Sequence, residues 1–253
     1  MYSLASISIS DMTECASELR KLGAGASSAQ EVAQRIVTHL YRQLGNDRTG
    51  RQDCALVRCF LTRAYGELDP QSQDCARRTL ACGPGSVHMK CLTLFGTAGE
   101  KPEWNERHRS RRYRSIPLAD KQVLSQFPMV SQLLQQLGVD FTSKIPPKSD
   151  LLVDQTEHTL DVFHVAEAKG SSFVPAQEEF VIPFGIESVL GFGGVLPSKE
   201  FFTVILFSRV RISRETAELF KLLAQSIKLA LLPFDGRGSK HSIHPVEGQR
   251  GRR

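Results

Sequence analysis

Between Ser28 and Leu44 the residues Val32, Ile36, Val37, Leu40, Tyr41 and Leu44 recur at helical spacing, which predicts an amphipathic helix with one buried stripe. Upstream, SDMTECASELRKL predicts another helix with Ser10 or Asp11 as its N-cap, and GAGASS at Gly23–Ser28 breaks the two apart. CALVRCFLT (Cys54–Thr62) and MKCLTLFGTAG (Met89–Gly99) are short apolar runs and predict strands, with a short helix capped near Asp69 between them. Glu100–Ile116 is polar and irregular, a surface loop. In LADKQVLSQFPMVSQLLQQLG the helical phase of Val123, Leu124, Phe127, Val130, Leu133, Leu134 and Leu137 is interrupted by Pro128, so one kinked helix or two short ones are expected. KIPPKSDLLVDQTEHT reads as a connection. LDVFHVAEA and EEFVIPFGI each read as strands, the second ending near Pro183. ESVLGFGGV and FFTVILFSRV form a hairpin about LPSKE, and Ser213 caps a long closing helix that runs to about Phe234.

Helices thus flank strands joined mostly by hairpins, without a repeated βαβ unit, which predicts an α+β domain on an antiparallel sheet. Residues 1–234 are expected to form one domain and 235–253 a disordered basic tail.

GFGG, Gly191–Gly194, could cradle a phosphate only if a helix began directly after it, whereas a turn and a second strand follow. As strand, it places Val189, Gly191 and Gly193 on one face and Leu190, Phe192 and Gly194 on the other. Such a gap accommodates either a closely packed helix or a ligand, and both readings stand at this point.

Composition narrows the class. The chain has 253 residues, 41% hydrophobic and 23% charged, and no apolar run long enough for a membrane span. MYSLASISISDMTE carries neither a basic nor a continuous apolar leader segment, so a cytoplasmic location is expected. The net charge of +5 comes largely from RHRSRRYR (Arg107–Arg114) and the tail, which reads as solvated surface; nucleic acid is not an expected partner. All six cysteines lie in the first 91 residues and are expected to be reduced thiols. Cys82, His88 and Cys91 have a spacing that fits no common zinc site, and no metal is expected. No Ser-His-Asp order, acid/base pair or kinase motif can be read, so no catalytic residue is assigned.

From Phe184 to Leu232 the chain is similar to the C-terminal half of a GAF domain. The likeness rests on Gly185, Ile186 and Ser188 at the strand entry, Val204–Ser208 in the strand after the hairpin, and Glu215, Leu219 and Ala224 in the closing helix. AQEVAQRIVTHLYRQL followed by CALVRCF also fits that family's opening, whereas Asp69–Ala176 is less typical. The resemblance implies an antiparallel sheet of about six strands with the N- and C-terminal helices on one face, used for homodimer contacts, and a small-molecule pocket on the other. It implies a sensory or protein-interaction module of bacterial signal transduction, with a histidine kinase or other output protein as partner and an unknown ligand. Trp104, Arg107, His108, Phe163, His164, Phe184, Gly191 and Gly193 are the pocket candidates. The alternative implied by the same resemblance is thiol chemistry of the free methionine sulfoxide reductase type, for which Cys75 and Cys82 are better placed than the strand cysteines.

Overall fold

The computed structural model describes residues 1–46, 50–80, 86–110, 113–138 and 161–236. The connection after Gly138, Cys82, Arg111, Arg112 and the basic tail lie outside the described residues.

Helix α1 (Ile9–Lys21) starts earlier than expected, because Ser8 is the cap and Asp11 its reciprocal partner. The Asp11 amide donates to Ser8 Oγ at 3.1 Å and the Ser8 amide donates to Asp11 Oδ2 at 2.8 Å, so both orphan amides are satisfied. Helix α2 (Ala29–Gln43) follows the break and is capped by Ser28; Val32, Ile36, Val37 and Leu40 are buried along its predicted stripe.

A small hairpin, β1 (Gly45–Asn46) with β2 (Arg51–Gln52), leads into the central strand β3 (Cys54–Ala64). Helix α3 (Pro70–Thr79), capped by Asp69, precedes β4 (Lys90–Gly99). The loop beyond β4 contains two 3-10 turns and ends in β5 (Ser115–Pro117). Pro128 resolves the next segment into two helices, α4 (Lys121–Ser125) and α5 (Pro128–Gln136), since proline fits the first position of a helix and not its interior. The remaining elements are β6 (Phe163–Val165), β7 (Ser188–Val195), β8 (Phe201–Ser208) and α6 (Arg214–Leu231).

One segment expected as a strand folds differently. EEFVIPFGI is not a strand: Gln177–Val181 makes a single π-helical turn entered through Ala176 in the left-handed region, φ 59°. Helical winding places Phe180 and Phe184, four residues apart, on the same ring, that of Trp104; extended chain would carry them well over 10 Å apart. Gln177 holds the preceding loop: its amide donates to the carbonyls of Ala168 at 3.0 Å and Val174 at 2.8 Å, and its Oε1 accepts from Gly170 N at 2.9 Å.

The six-stranded sheet runs β5-β4-β3-β8-β7-β6, antiparallel throughout. Alternation divides its side chains between two cores. Val57, Cys59, Leu61, Leu190, Phe192, Val204 and Leu206 face α1, α2 and α6. Leu56, Phe60, Leu92, Val189, Ile205 and Phe207 face α4, α5 and the loop that carries Phe180. The terminal helices therefore share one face of a GAF-like α+β fold, and the other face is left to shorter elements.

The two glycines of β7 are filled in different ways. A Cβ on Gly191 would meet the side chains of Phe163 and Leu133 at 3.2 and 3.3 Å, and one on Gly193 would lie 2.1 Å from the Phe202 carbonyl oxygen. Gly191 thus lets β6 and α5 settle on the sheet, and Gly193 permits close approach of the neighbouring strand. The tight helix contact occurs at Gly96 of β4, where a Cβ would lie 2.6 Å from the Ala33 carbonyl oxygen of α2.

Candidate functional site

Between the sheet face of β3, β4 and β8 and the cover made by α4, α5 and the π-turn lies a cavity of about 340 Å³. Leu56, Phe60, Leu92, Ile205 and Phe207 form its floor, and Phe127, Met129, Val130, Pro175 and Phe180 its roof. Trp104 closes one side. Its ring lies 5.4 Å from Phe180 and 4.7 Å from Phe184, centroid to centroid, and Phe180 stands edge-on to Phe207 at 5.1 Å. Both volume and apolar lining are in the range of small-molecule sites.

The Trp104 loop is held by its neighbours in WNERH. Asn105 Oδ1 accepts from Gly99 N at 2.9 Å, and its amide donates to the carbonyls of Gly99 and Lys101 at 3.0 Å each. The side chain thereby substitutes for a strand beside the end of β4. The Thr97 hydroxyl donates to the Trp104 carbonyl at 2.7 Å. Lys101 lies over the outer edge of the cluster, 4.9 Å from the Phe184 ring and 5.6 Å from that of Trp104, an arrangement in which the ring faces attract the ammonium.

A charge lies in the floor. Arg58 projects from β3 on the same face as Leu56 and Phe60 and lines the cavity, and its Nε is buried without a hydrogen-bond partner. It forms no ion pair with a described residue. Removal from water lowers its pKa from the ordinary arginine value to about 10, with the nearby Tyr113 phenol opposing the fall, so the group remains cationic at neutral pH.

The expected site residues separate. Trp104 lines the cavity, and Phe184 backs it from outside. Phe163 is fully buried over Gly191 and, with Gly193, lies off the cavity wall. His164 bridges elements: its amide donates to Gln136 Oε1 of α5, and its Nε2 donates to the Ile212 carbonyl before α6, both at 3.0 Å. Burial lowers the His164 pKa, and the bond to the Ile212 carbonyl opposes that fall in part.

Arg107 and His108 line a different, shallow groove beside α2. Arg107 reaches Asp69 Oδ2 at 3.3 Å, and Arg114 reaches Asp69 Oδ1 at 3.0 Å and Ser72 Oγ at 3.0 Å. Two arginines of RHRSRRYR are therefore turned inward onto the N-cap of α3, and a third, Arg109, pairs with Glu106 at 2.8 Å.

Arg58 was not foreseen, although it leaves a mark in the sequence: a lone arginine between two apolar same-face neighbours in CALVRCFLT. Phe180 escaped because its segment reads as strand.

Burial raises the thiols of Cys15, Cys59 and Cys91 to about 12, and Cys54 is raised further for the same reason. Among the described residues no cluster of His, Cys, Asp or Glu could hold a metal, and no helix is long and apolar enough to cross a membrane.

No protein-family model and no curated protein matches the chain. Among solved structures it is similar to the free methionine-R-sulfoxide reductase of Neisseria meningitidis in complex with its substrate, at 10% identity and a TM-score of 0.44 over 91% of this chain and 95% of that one. It is also similar to the GAF domain of an Acinetobacter phosphoenolpyruvate-protein phosphotransferase, at 14% identity and 0.39 over 87% and 92%. A third is the phycoerythrobilin-bound GAF domain of a cyanobacterial phytochrome, at 7% identity and 0.40 over 90% and 96%.

Proposed function

We propose that the chain is a GAF-like sensory module that takes a small molecule between its sheet and the α4–α5 cover, and passes the occupied state to a separate output protein, such as a histidine kinase of a two-component system. The observation that carries this reading is the partly open, mainly apolar cavity with the Arg58 guanidinium in its floor. A structural core of this quality would close over such a space, because unfilled volume forfeits packing and a desolvated charge costs free energy.

A route outward supports the signalling part. α5 roofs the cavity, Gln136 at its end accepts from the His164 amide, and His164 donates to Ile212 at the entry to α6. A ligand that moves α5 would bias α6 through these bonds, as a population shift between two arrangements. The outer face of α6 exposes Leu222 and Leu229, and Leu232 just beyond its end is also exposed, which supports homodimer contacts through the terminal helices.

The thiol-redox alternative has weaker support. An attacking cysteine needs a depressed pKa, and burial acts the opposite way on four of the described thiols.

The test is a metabolite library screened by thermal shift against the wild-type chain and an Ile205→Phe variant that fills the cavity. Compounds should stabilise the wild type and leave the filled variant unmoved. A library in which no compound separates the two proteins would refute the reading.

A further inference from the structure

We propose that the ligand of this cavity is a monocarboxylate with an apolar, ring-sized body, its carboxylate paired with the guanidinium of Arg58. The inference rests on the reading of the cavity as a ligand site and adds the chemical class of what enters it.

Arg58 stands apart by what it lacks. Among the described residues, other inward-turned arginines have partners: Arg114 reaches Asp69, Ser72 and Gln71, and Arg209 reaches Glu100 and the carbonyls of Phe184, Gln52 and Cys54. Arg58 Nε is buried with none, on a sheet face it shares with Leu56, Phe60, Leu92 and Ile205, and Tyr113 and Gln126 are the uncharged polar side chains in the same lining. A guanidinium in such a place leaves planar donors unsatisfied, and a carboxylate is the anion whose two oxygens match that fork in one plane.

The number of charges follows from the surroundings. Lys101 also lines the cavity, but it is exposed, lies over the Trp104 and Phe184 rings and is offset in charge by Glu179, so among the described residues Arg58 is the cation of the floor. Glu179, also exposed, stands at the rim and would repel a second negative charge. A phosphate dianion would bury one charge more than the site balances. The body of the ligand meets the roof of Phe127, Met129 and Phe180 and the face of Trp104, a wall of rings and a thioether that suits a flat or aliphatic group.

Trp104 is the chain's sole tryptophan, so its emission reports occupancy of the cavity directly. The full-length protein is titrated with 3-phenylpropionate, with its carboxamide, and with phenylphosphonate. The acid should bind roughly tenfold to a hundredfold more tightly than the amide, the range of a charge-assisted hydrogen-bonded pair. In Arg58→Gln this preference should vanish while the affinity for the amide persists. Equal binding of acid and amide by the wild type would overturn the ligand class and leave the cavity reading intact. Tighter binding of phenylphosphonate would overturn the single-charge assignment. Trp104 emission unmoved by all three would count against the cavity reading itself, and this inference would fall with it. The comparison of acid with amide is made on the wild type, so it stands whether or not the variant folds.

Discussion

Replacing Arg58 with methionine should stabilise the unliganded protein. Methionine keeps an unbranched apolar stem that can lie along Leu56 and Phe60, and it removes a guanidinium whose Nε has no partner. A fall in pKa from the ordinary arginine value to about 10, at about 1.4 kcal/mol per pKa unit, places the net cost of holding this cation in the fold at about 3 kcal/mol. Allowing for lost contacts of the longer side chain, the expected gain is about 1–3 kcal/mol, or roughly 2–4 °C in Tm for each kcal/mol in a chain of this size. The pH dependence has a defined sign. The folded value lies below the unfolded one, so the charged group is costly in the native state at all pH values below about 10 and the cost disappears as pH rises from about 10 towards the ordinary arginine value. The advantage of the methionine variant should therefore be flat around neutral pH and shrink above about pH 10. Urea denaturation followed by far-ultraviolet circular dichroism at neutral and alkaline pH measures both. A loss of more than about 1 kcal/mol at neutral pH would mean that Arg58 has a native partner, and the reasoning from an uncompensated charge would be wrong.

Asn105→Ala removes three hydrogen bonds that tie the Trp104 loop to Gly99 and Lys101; a destabilisation of about 1–3 kcal/mol with a red shift of Trp104 emission is expected, checked by denaturation and fluorescence on one sample. Gly193→Ala should cost about 2 kcal/mol or more, since its Cβ meets backbone, and Gly191→Ala should cost less, since side chains can give; equal costs from urea titrations would contradict the assigned contacts. With burial holding Cys15, Cys54, Cys59 and Cys91 protonated, a thiol-specific reagent at mildly alkaline pH should modify at most Cys75 and Cys82 in the folded chain; peptide mapping that finds the other four modified at a similar rate would refute this. Under the proposed homodimer, the wild type should sediment as a dimer and the double substitution Leu222→Glu with Leu229→Glu as a monomer; a monomeric wild type or a dimeric variant would refute contacts through this face.

The parts of the fold that obey one periodicity were legible in advance. The stripe from Val32 to Leu40, the hairpin of β7 and β8 and the closing helix each follow a single pattern from end to end. The cap of α1 was misplaced because Asp11 and Ser8 are interchangeable as helix-start signals, and only their reciprocal bonds tell cap from third position. The turn at Gln177 was hidden for a physical reason: FVIPF has strand-forming residues, and the demand of Trp104 for two rings on one side overrides that propensity. The site was legible only in part. Trp104 was singled out by the density of chemical types around it, whereas Arg58 looks like an ordinary polar position in a strand until the opposite wall is in place. The basic run 107–114 misleads in the other direction, since its charge partner Asp69 lies 38 residues before Arg107.

The central claim is that a small molecule occupies the space above β3, β4 and β8. The most direct measurement is a ¹H–¹⁵N correlation spectrum of the full chain during titration with 3-phenylpropionate, in which Trp104 supplies the single indole N–H resonance. The account predicts a saturable shift of that resonance together with the amides of Arg58, Met129, Phe180 and Ile205. An indole signal that stays in place while those amides are also unmoved, with the ligand in large excess, would contradict it.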